Sequence, residues 1–362
     1  MASSRIVTAI SIVLVYSMVH SPAKATDWFV ANGSCGNGSA ATPFCRIQDG
    51  INAAQSGDQV VVFEGVYRGT GNTDLIFPPR EIAVFGNATC IIDCEHLVRG
   101  VSFISDNGQS STLQGFTIRN GNVGFEGGGG ILVSNASPRI IGNIIEDCVA
   151  QGSGGGVETT GSGSPLILNN TIRGNRSVSG AGGGIAAGSS GEVTIHGNVI
   201  QENHAANGGG ILASGMVTIQ NSTIELNVAE AHFGGGVYLA GGSKLLVTGC
   251  KILRNSAPDT GGGIYLPTGT ATIVNTLIAG NGTVAPTPFY GGGFGCCKAN
   301  ENGRPIIVNC IITNNKAKDA GGGVYLNLAG TAPHISNTVF AYNESRKWNL
   351  RRVRWGPVRG GR

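Results

Sequence analysis

The chain has 362 residues, 41% hydrophobic, 12% charged and 6% aromatic, and 61 of its residues are glycine. That apolar content suffices for a core and excludes a charge-driven disordered chain. The glycines cluster in threes, which excludes the every-third-residue pattern of collagen. Residues 346–362 hold seven of the 24 Lys and Arg and no acid, leaving 17 basic against 21 acidic side chains elsewhere. The formal charge of +3 therefore belongs to the last segment, and the body, at −4, has no footprint for nucleic acid.

In chain order, Arg5, the apolar run Ile6 to Val19 and Ala23-Lys24-Ala25 read as a signal peptide over 1–25. The run is shorter than the ~20 residues of a spanning helix, and no later segment could span a membrane. Export makes disulfides permissible. Cys35 and Cys45 flank a polar loop and Cys90 and Cys94 lie four apart, so both pairs are candidate bridges. Nine cysteines leave at least one unpaired within the chain. Residues 47–57 place Ile47, Ile51 and Ala54 on one helical face and stop at Gly57, which predicts a short amphipathic helix capping an open strand edge.

From residue 125 the chain repeats itself. Eight copies of Gly-Gly-Gly followed by an apolar residue end at Ile131, Val157, Ile185, Ile211, Val237, Ile264, Phe294 and Val324, in steps of 26 to 30 residues. A second phrase places Asn three residues after an apolar residue, giving Asn175, Asn203, Asn227, Asn255, Asn281, Asn315 and Asn343. Two phased signals at one period mean a stack of like units. The intervening runs are short and rich in Ile, Val, Leu and Thr, with no sustained helical periodicity. We therefore expect an all-β parallel β-helix solenoid of about nine or ten rungs, on the order of 45 Å long. The domain reading is signal 1–25, amino-terminal cap and first rungs 26–124, repeat β-helix 125–345, and a basic segment 346–362 read as unstructured.

In register, the seven asparagines form an inward column that bonds from rung to rung. Two positions before each central apolar residue, a second inward column reads Asn143, Asn170, Asn198, Ser222, Cys250, Thr276, Cys310 and Thr338. Cys250 and Cys310 lie two rungs apart, near ~9.6 Å, too far for a disulfide. They read as buried thiols, with Cys296 or Cys297 as an alternative partner for Cys310. Of nine Asn-x-Ser/Thr sequons, three (Asn175, Asn281 and Asn343) fall in the inward column, so glycans there would contradict the register.

The segment Ile47-Gln48, Ile51-Asn-Ala-Ala54, Gly57-Asp-Gln-Val60 and Gly65-Val-Tyr67 resembles the opening of pectin-lyase-like right-handed β-helix proteins. The paired phrases resemble the tandem repeats of chlamydial polymorphic outer membrane proteins, with Ile in six of seven copies where that group carries Phe. The resemblance implies a right-handed coil, and a secreted or surface-displayed protein with an adhesive role.

Chemistry is harder to find. Only nine Asp occur, and no two from the repeats share a column on adjacent rungs, so the paired acids of glycoside hydrolysis are not apparent. Glu126, Glu146, Asp147 and Glu158 form the densest acidic group, read as solvated surface with calcium binding as the rival. No His/Cys cluster has metal spacing, no triad is visible and the triple glycines precede no phosphate-loop lysine. The expectation is no catalytic residue, no metal and no cofactor. Outward positions Tyr238, Tyr265 and Tyr325 offer flat faces for sugar rings, or else stack on each other. The partners this admits are a polysaccharide or cell-surface glycan, and self-association through an uncapped carboxy-terminal end. The alternative function is a polysaccharide lyase or glycoside hydrolase. Residues 346–362 read either as a basic tail for anionic glycans or membranes, or as a truncated or frame-shifted end. The second is favoured because no polar element closes the last rung near Asn343.

Overall fold

The structure, a computed structural model, describes residues 25–33, 35–104, 111–283, 290–296, 303–326 and 333–345. From Ile131 onward each coil carries four short strands, as in Val237–Leu239, Lys244–Thr248, Lys251–Leu253 and Ser256–Ala257. Like strands of successive coils pair in parallel and build three sheets of 21, nine and ten strands. The largest is bent, because its two strands per coil meet at a corner. The ten-stranded sheet follows the glycine triplets, and at about 4.8 Å per coil the stack is about 45 Å long.

Why the chain turns where it does is local chemistry. At the first corner a residue with positive φ separates the two bent-sheet strands, such as Asn221 (φ 48°), Gly249 (φ 66°) and Asn275 (φ 51°). Asn and Gly tolerate that left-handed conformation best. Each triplet then reverses the chain against its neighbours. Gly234 has φ 63°, while a Cβ on Gly235 would lie 2.2 Å from the Ser256 carbonyl oxygen and one on Gly236 2.7 Å from that of Gly263. The first glycine is required by conformation and the next two by backbone approach.

The interior is a set of columns. Ile118, Ile145, Ile172, Ile200, Ile224, Ile252, Ile278 and Ile312 stack in register from coil to coil and are fully buried. Burying each such side chain contributes about 1.5–3 kcal/mol. Phe340 continues the column on the last described coil, where it is 47% exposed because no described strand covers it.

The asparagine column stands beside this one. In each link the Oδ1 of one Asn accepts from both the backbone N–H and the Nδ2 of the Asn on the preceding coil. The links run Asn175 to Asn203, Asn227, Asn255, Asn281, Asn315 and Asn343, at 2.9–3.0 Å. Each Nδ2 also donates to an Ile carbonyl of the preceding coil, as Asn255 does to Ile224 at 2.9 Å. Cys148 opens the column, its N–H donating to Asn175 Oδ1 at 3.0 Å. The second inward column behaves alike, Asn143 bonding to Asn170 and Asn170 to Asn198 before hydroxyls and thiols take over. Every column Asn from Asn175 to Asn315 is buried with its amide saturated, which leaves the sequons at Asn175 and Asn281 unable to carry a glycan in the folded chain.

The helix Ile47–Ala53 buries Ile47 and Ile51 against the first strands, Asp27–Val30 and Gln59–Val62. The Cys35–Cys45 disulfide, with Cα atoms 4.6 Å apart, staples the loop that precedes it. The Cys90–Cys94 bridge is a correction: the two sulfurs form no disulfide and both residues are buried. Cys90 lies in the strand Ala83–Asp93, and four extended residues span about 13 Å, beyond disulfide reach. Cys250 and Cys310 are free thiols, likewise buried. Cys296 is disulfide-bonded, so Cys310 is not its partner. Cys297, the signal segment 1–24 and the basic segment 346–362 lie outside the described residues.

Candidate functional site

Three surface features carry chemistry. The first is aromatic. On the ten-stranded sheet, Tyr238 and Tyr265 occupy paired positions of adjacent coils, with centroids 6.0 Å apart and planes 7° from parallel. Phe233, just before a glycine triplet, folds over them and stacks on Tyr265 at 4.5 Å. Tyr265 is thereby reduced to 1% exposure and withdrawn from solvent. Farther along, Tyr290 stacks on Tyr325 at 4.3 Å, and Tyr325 is the register partner of Gly295. Burial and the neighbouring Tyr290 push the Tyr325 hydroxyl pKa upward. Rings stacked along the coil axis turn their faces to each other and leave mainly edges and hydroxyls for a ligand. Phe233 and Tyr290 were not singled out from the sequence, although they share a phase. The residue before each triplet forms its own column through Phe233, Thr260, Tyr290 and Ala320.

The second feature is a set of ion pairs that ties coils together. Asp93 accepts from Arg68 at 3.0 Å, Arg119 at 2.9 Å and Asn120 at 2.8 Å, and is almost fully buried. Burial alone would raise its pKa. Asn120, Arg119, the Glu95 N–H and Arg68 outweigh it and hold the carboxyl well below the usual range. Glu146 pairs with Arg173, its register partner on the next coil, and Glu225 pairs with Arg254 at the corner of the next coil. Arg99 is buried, donating to the Gly127 and Gly128 carbonyls and to Glu126 at 2.7 Å. Burial, partly offset by Arg99 and reinforced by Glu126, pushes the Glu158 carboxyl upward.

These contacts divide the acidic group seen in the sequence. Glu146 lies on the bent sheet beside Arg173, and Glu158 on the ten-stranded sheet. Glu126 already holds a guanidinium, and among the described residues no three His, Cys, Asp or Glu are grouped to hold a metal ion.

The third feature has no counterpart in the repeats. A groove of about 740 Å³ lies beside the capping helix, against the loops around residues 69–78 and 94–98. Its wall carries Asp49, Asp74 and Glu95 with a single Arg46, a local balance of −2. Ile76 and Leu97 form an apolar shelf, 50% and 75% exposed. The side chains of Asp49 and Asp74 make no hydrogen bond or ion pair with another described residue.

Coils of parallel strands stacked around inward Asn columns define a parallel β-helix, and comparison with protein families gives it a right hand. The model of the right-handed β-helix region matches residues 82–228 and 177–340, and the chain belongs to that family. Among solved structures it resembles pectate lyase Pel9A, with TM-score 0.53 and 14% identity, over 86% of this chain and 79% of that one. A rhamnogalacturonan lyase overlaps 89% of this chain and 74% of its own at 13% identity, with TM-score 0.24. No curated protein matches the chain. The Pel9A likeness is one of fold. Among the described residues no helix is long and apolar enough to cross a membrane, and the Cys35–Cys45 bond fits an oxidising compartment.

Proposed function

We propose that the chain is a secreted or surface-displayed β-helix rod with a structural or adhesive role, contacting carbohydrate along its aromatic edge. The observation that carries this reading is the pair of half-buried ring clusters on one edge, Phe233 with Tyr238 on one coil and Tyr290 with Tyr325 two and three coils farther on. A rod held by buried amide bonds keeps such clusters at fixed spacing, so a repeating polymer can engage several rings without an ordering cost at the binding surface. Tyrosine supplies rigid contact area with a hydroxyl for hydrogen bonding. The adhesive role follows the resemblance to chlamydial repeat proteins, and export follows the signal-like residues 1–25.

The rival reading, a pectin-lyase-like polysaccharide lyase or hydrolase, needs free acids around a sugar. Glu126, Glu146 and Asp93 are each bound by arginine, which supports contact rather than turnover. Retention on a panel of immobilised polysaccharides tests both. Tyr238→Phe keeps the stack and removes one hydroxyl, whereas Tyr238→Ala with Tyr325→Ala takes a ring from each cluster. Loss of retention in both variants supports hydroxyl contacts at the edge. Unchanged retention in the double Ala variant removes the glycan reading, and uronate release that falls on Glu146→Gln substitution establishes the rival.

A further inference from the structure

We propose that the acidic groove beside the capping helix receives residues 346–362 of a second copy of this chain, so that copies associate head to tail. The groove and this segment are complementary in two independent ways. Asp49, Asp74 and Glu95 face one Arg46, and two of the three carboxylates have no partner among the described residues. Residues 346–362 carry seven Lys and Arg and no acid. The groove also has an apolar shelf at Ile76 and Leu97, and the segment interleaves Trp348, Val353 and Trp355 with its basic residues. Mixed charge and aromatic content on one side meets mixed charge and aliphatic surface on the other.

Position favours a second copy over the same chain. The groove belongs to the first coils, whereas Ser345 ends the short strand of the last described coil. The two are separated by about nine coil steps, on the order of 43 Å. Seventeen residues reach at most about 60 Å when fully extended, so self-capture would use most of that length merely to travel back along the rod. A neighbouring copy placed end-on brings its groove to the start of the segment. The two surfaces differ, so the contact is heterologous, and rods joined end to end by it extend as a linear chain instead of stopping at a two-fold pair.

Sedimentation velocity of the full chain, with a synthetic peptide of residues 346–362 as competitor, tests this. The expected result is concentration-dependent growth at low salt that falls away near ~0.5 M NaCl, where the screening length is only a few Å. The labelled peptide binds the wild-type chain, disperses the assemblies, and binds Asp49→Asn/Asp74→Asn about tenfold more weakly. Leu97→Glu provides an independent surface variant with the opposite expectation for charge, because it adds an acid but removes apolar shelf. If shelf and charge both matter, the double Asn variant is the more salt-independent of the two. All these positions are exposed or half-buried, and unchanged circular dichroism establishes that the variants fold. Peptide binding equal in wild type and double variant would overturn the proposal. So would a chain that remains monomeric at every concentration. Assembly that persists unchanged in Asp49→Asn/Asp74→Asn would also overturn it, and would move the contact to the open edge around Val339 and Phe340.

Discussion

Replacing Asn255 with leucine perturbs one link in the middle of the amide column. Its Oδ1 accepts from the Asn227 N–H at 3.0 Å and Nδ2 at 2.9 Å, and its Nδ2 donates to Ile224 O at 2.9 Å and Asn281 Oδ1 at 3.0 Å. Leucine removes all four. The backbone N–H of residue 255 still reaches Asn281 Oδ1, as it does in the wild type. Two donors on Asn227 are left at a site with no solvent access. Each stranded group costs about 1–3 kcal/mol, so the expected loss is about 3–5 kcal/mol. Asn343→Leu is the internal control. Asn343 makes the same contacts to Asn315 but is only half-buried, so water can replace them and the loss is about 1 kcal/mol. Urea unfolding followed by circular dichroism reads both as midpoint shifts at constant slope. Equal shifts for the two variants, or a loss below about 1 kcal/mol for Asn255→Leu, would refute the reasoning.

Other consequences follow from the same geometry. Leu226 sits at φ 57° in a corner column that holds Gly174 and Gly280 beside Asp147, Glu202, Arg254 and Asn314, all at positive φ, so Leu226→Gly is expected to stabilise by about 0.5–1 kcal/mol in the same urea assay. Asp93→Asn should cost about 2–3 kcal/mol at pH 7. Because the folded pKa of Asp93 is depressed, its contribution is full above the unfolded value near ~4 and is lost as pH falls toward the folded value, so the wild-type advantage should shrink between about pH 5 and pH 2. Burial pushes the Cys148 thiol up to about 12, and Cys90, Cys94, Cys250 and Cys310 are buried with it. Alkylation monitored by mass spectrometry should therefore leave these five untouched in the native state and label them after unfolding. Expression in a eukaryotic secretory host should leave the folded product unglycosylated at Asn175 and Asn281, whereas Asn169 and Asn221, exposed at the corners, accept glycans.

What the sequence made legible, and what it hid, divides along the repeat. Gly-Gly-Gly and the third-place Asn recur because every coil makes the same demand, close backbone approach at one bend and an amide at another, so their phase could be read directly. The stacking of Phe233 over Tyr265 was hidden, because alternation along a strand says which way Tyr265 points but not which loop folds over it. Cys90 and Cys94 misled for a related reason. A spacing of four suggests a loop, but Ala83–Asp93 is one long strand that holds the two sulfurs apart. The acidic groove lies in the irregular first coils, where Asp49, Asp74 and Glu95 come from three separate segments that no shared period connects. Repetition exposes what every coil needs and is silent on what one coil alone possesses.

The account rests on the asparagines lying one above another inside the coil. Amide hydrogen exchange of the native chain, resolved by residue, tests that most directly. Backbone N–H groups of Asn203, Asn227, Asn255 and Asn281, each bonded to the next Asn Oδ1, should exchange only through global unfolding, with protection equal to that of the central strands. Exchange of these protons within minutes, while the flanking isoleucine strands stay protected, would contradict it.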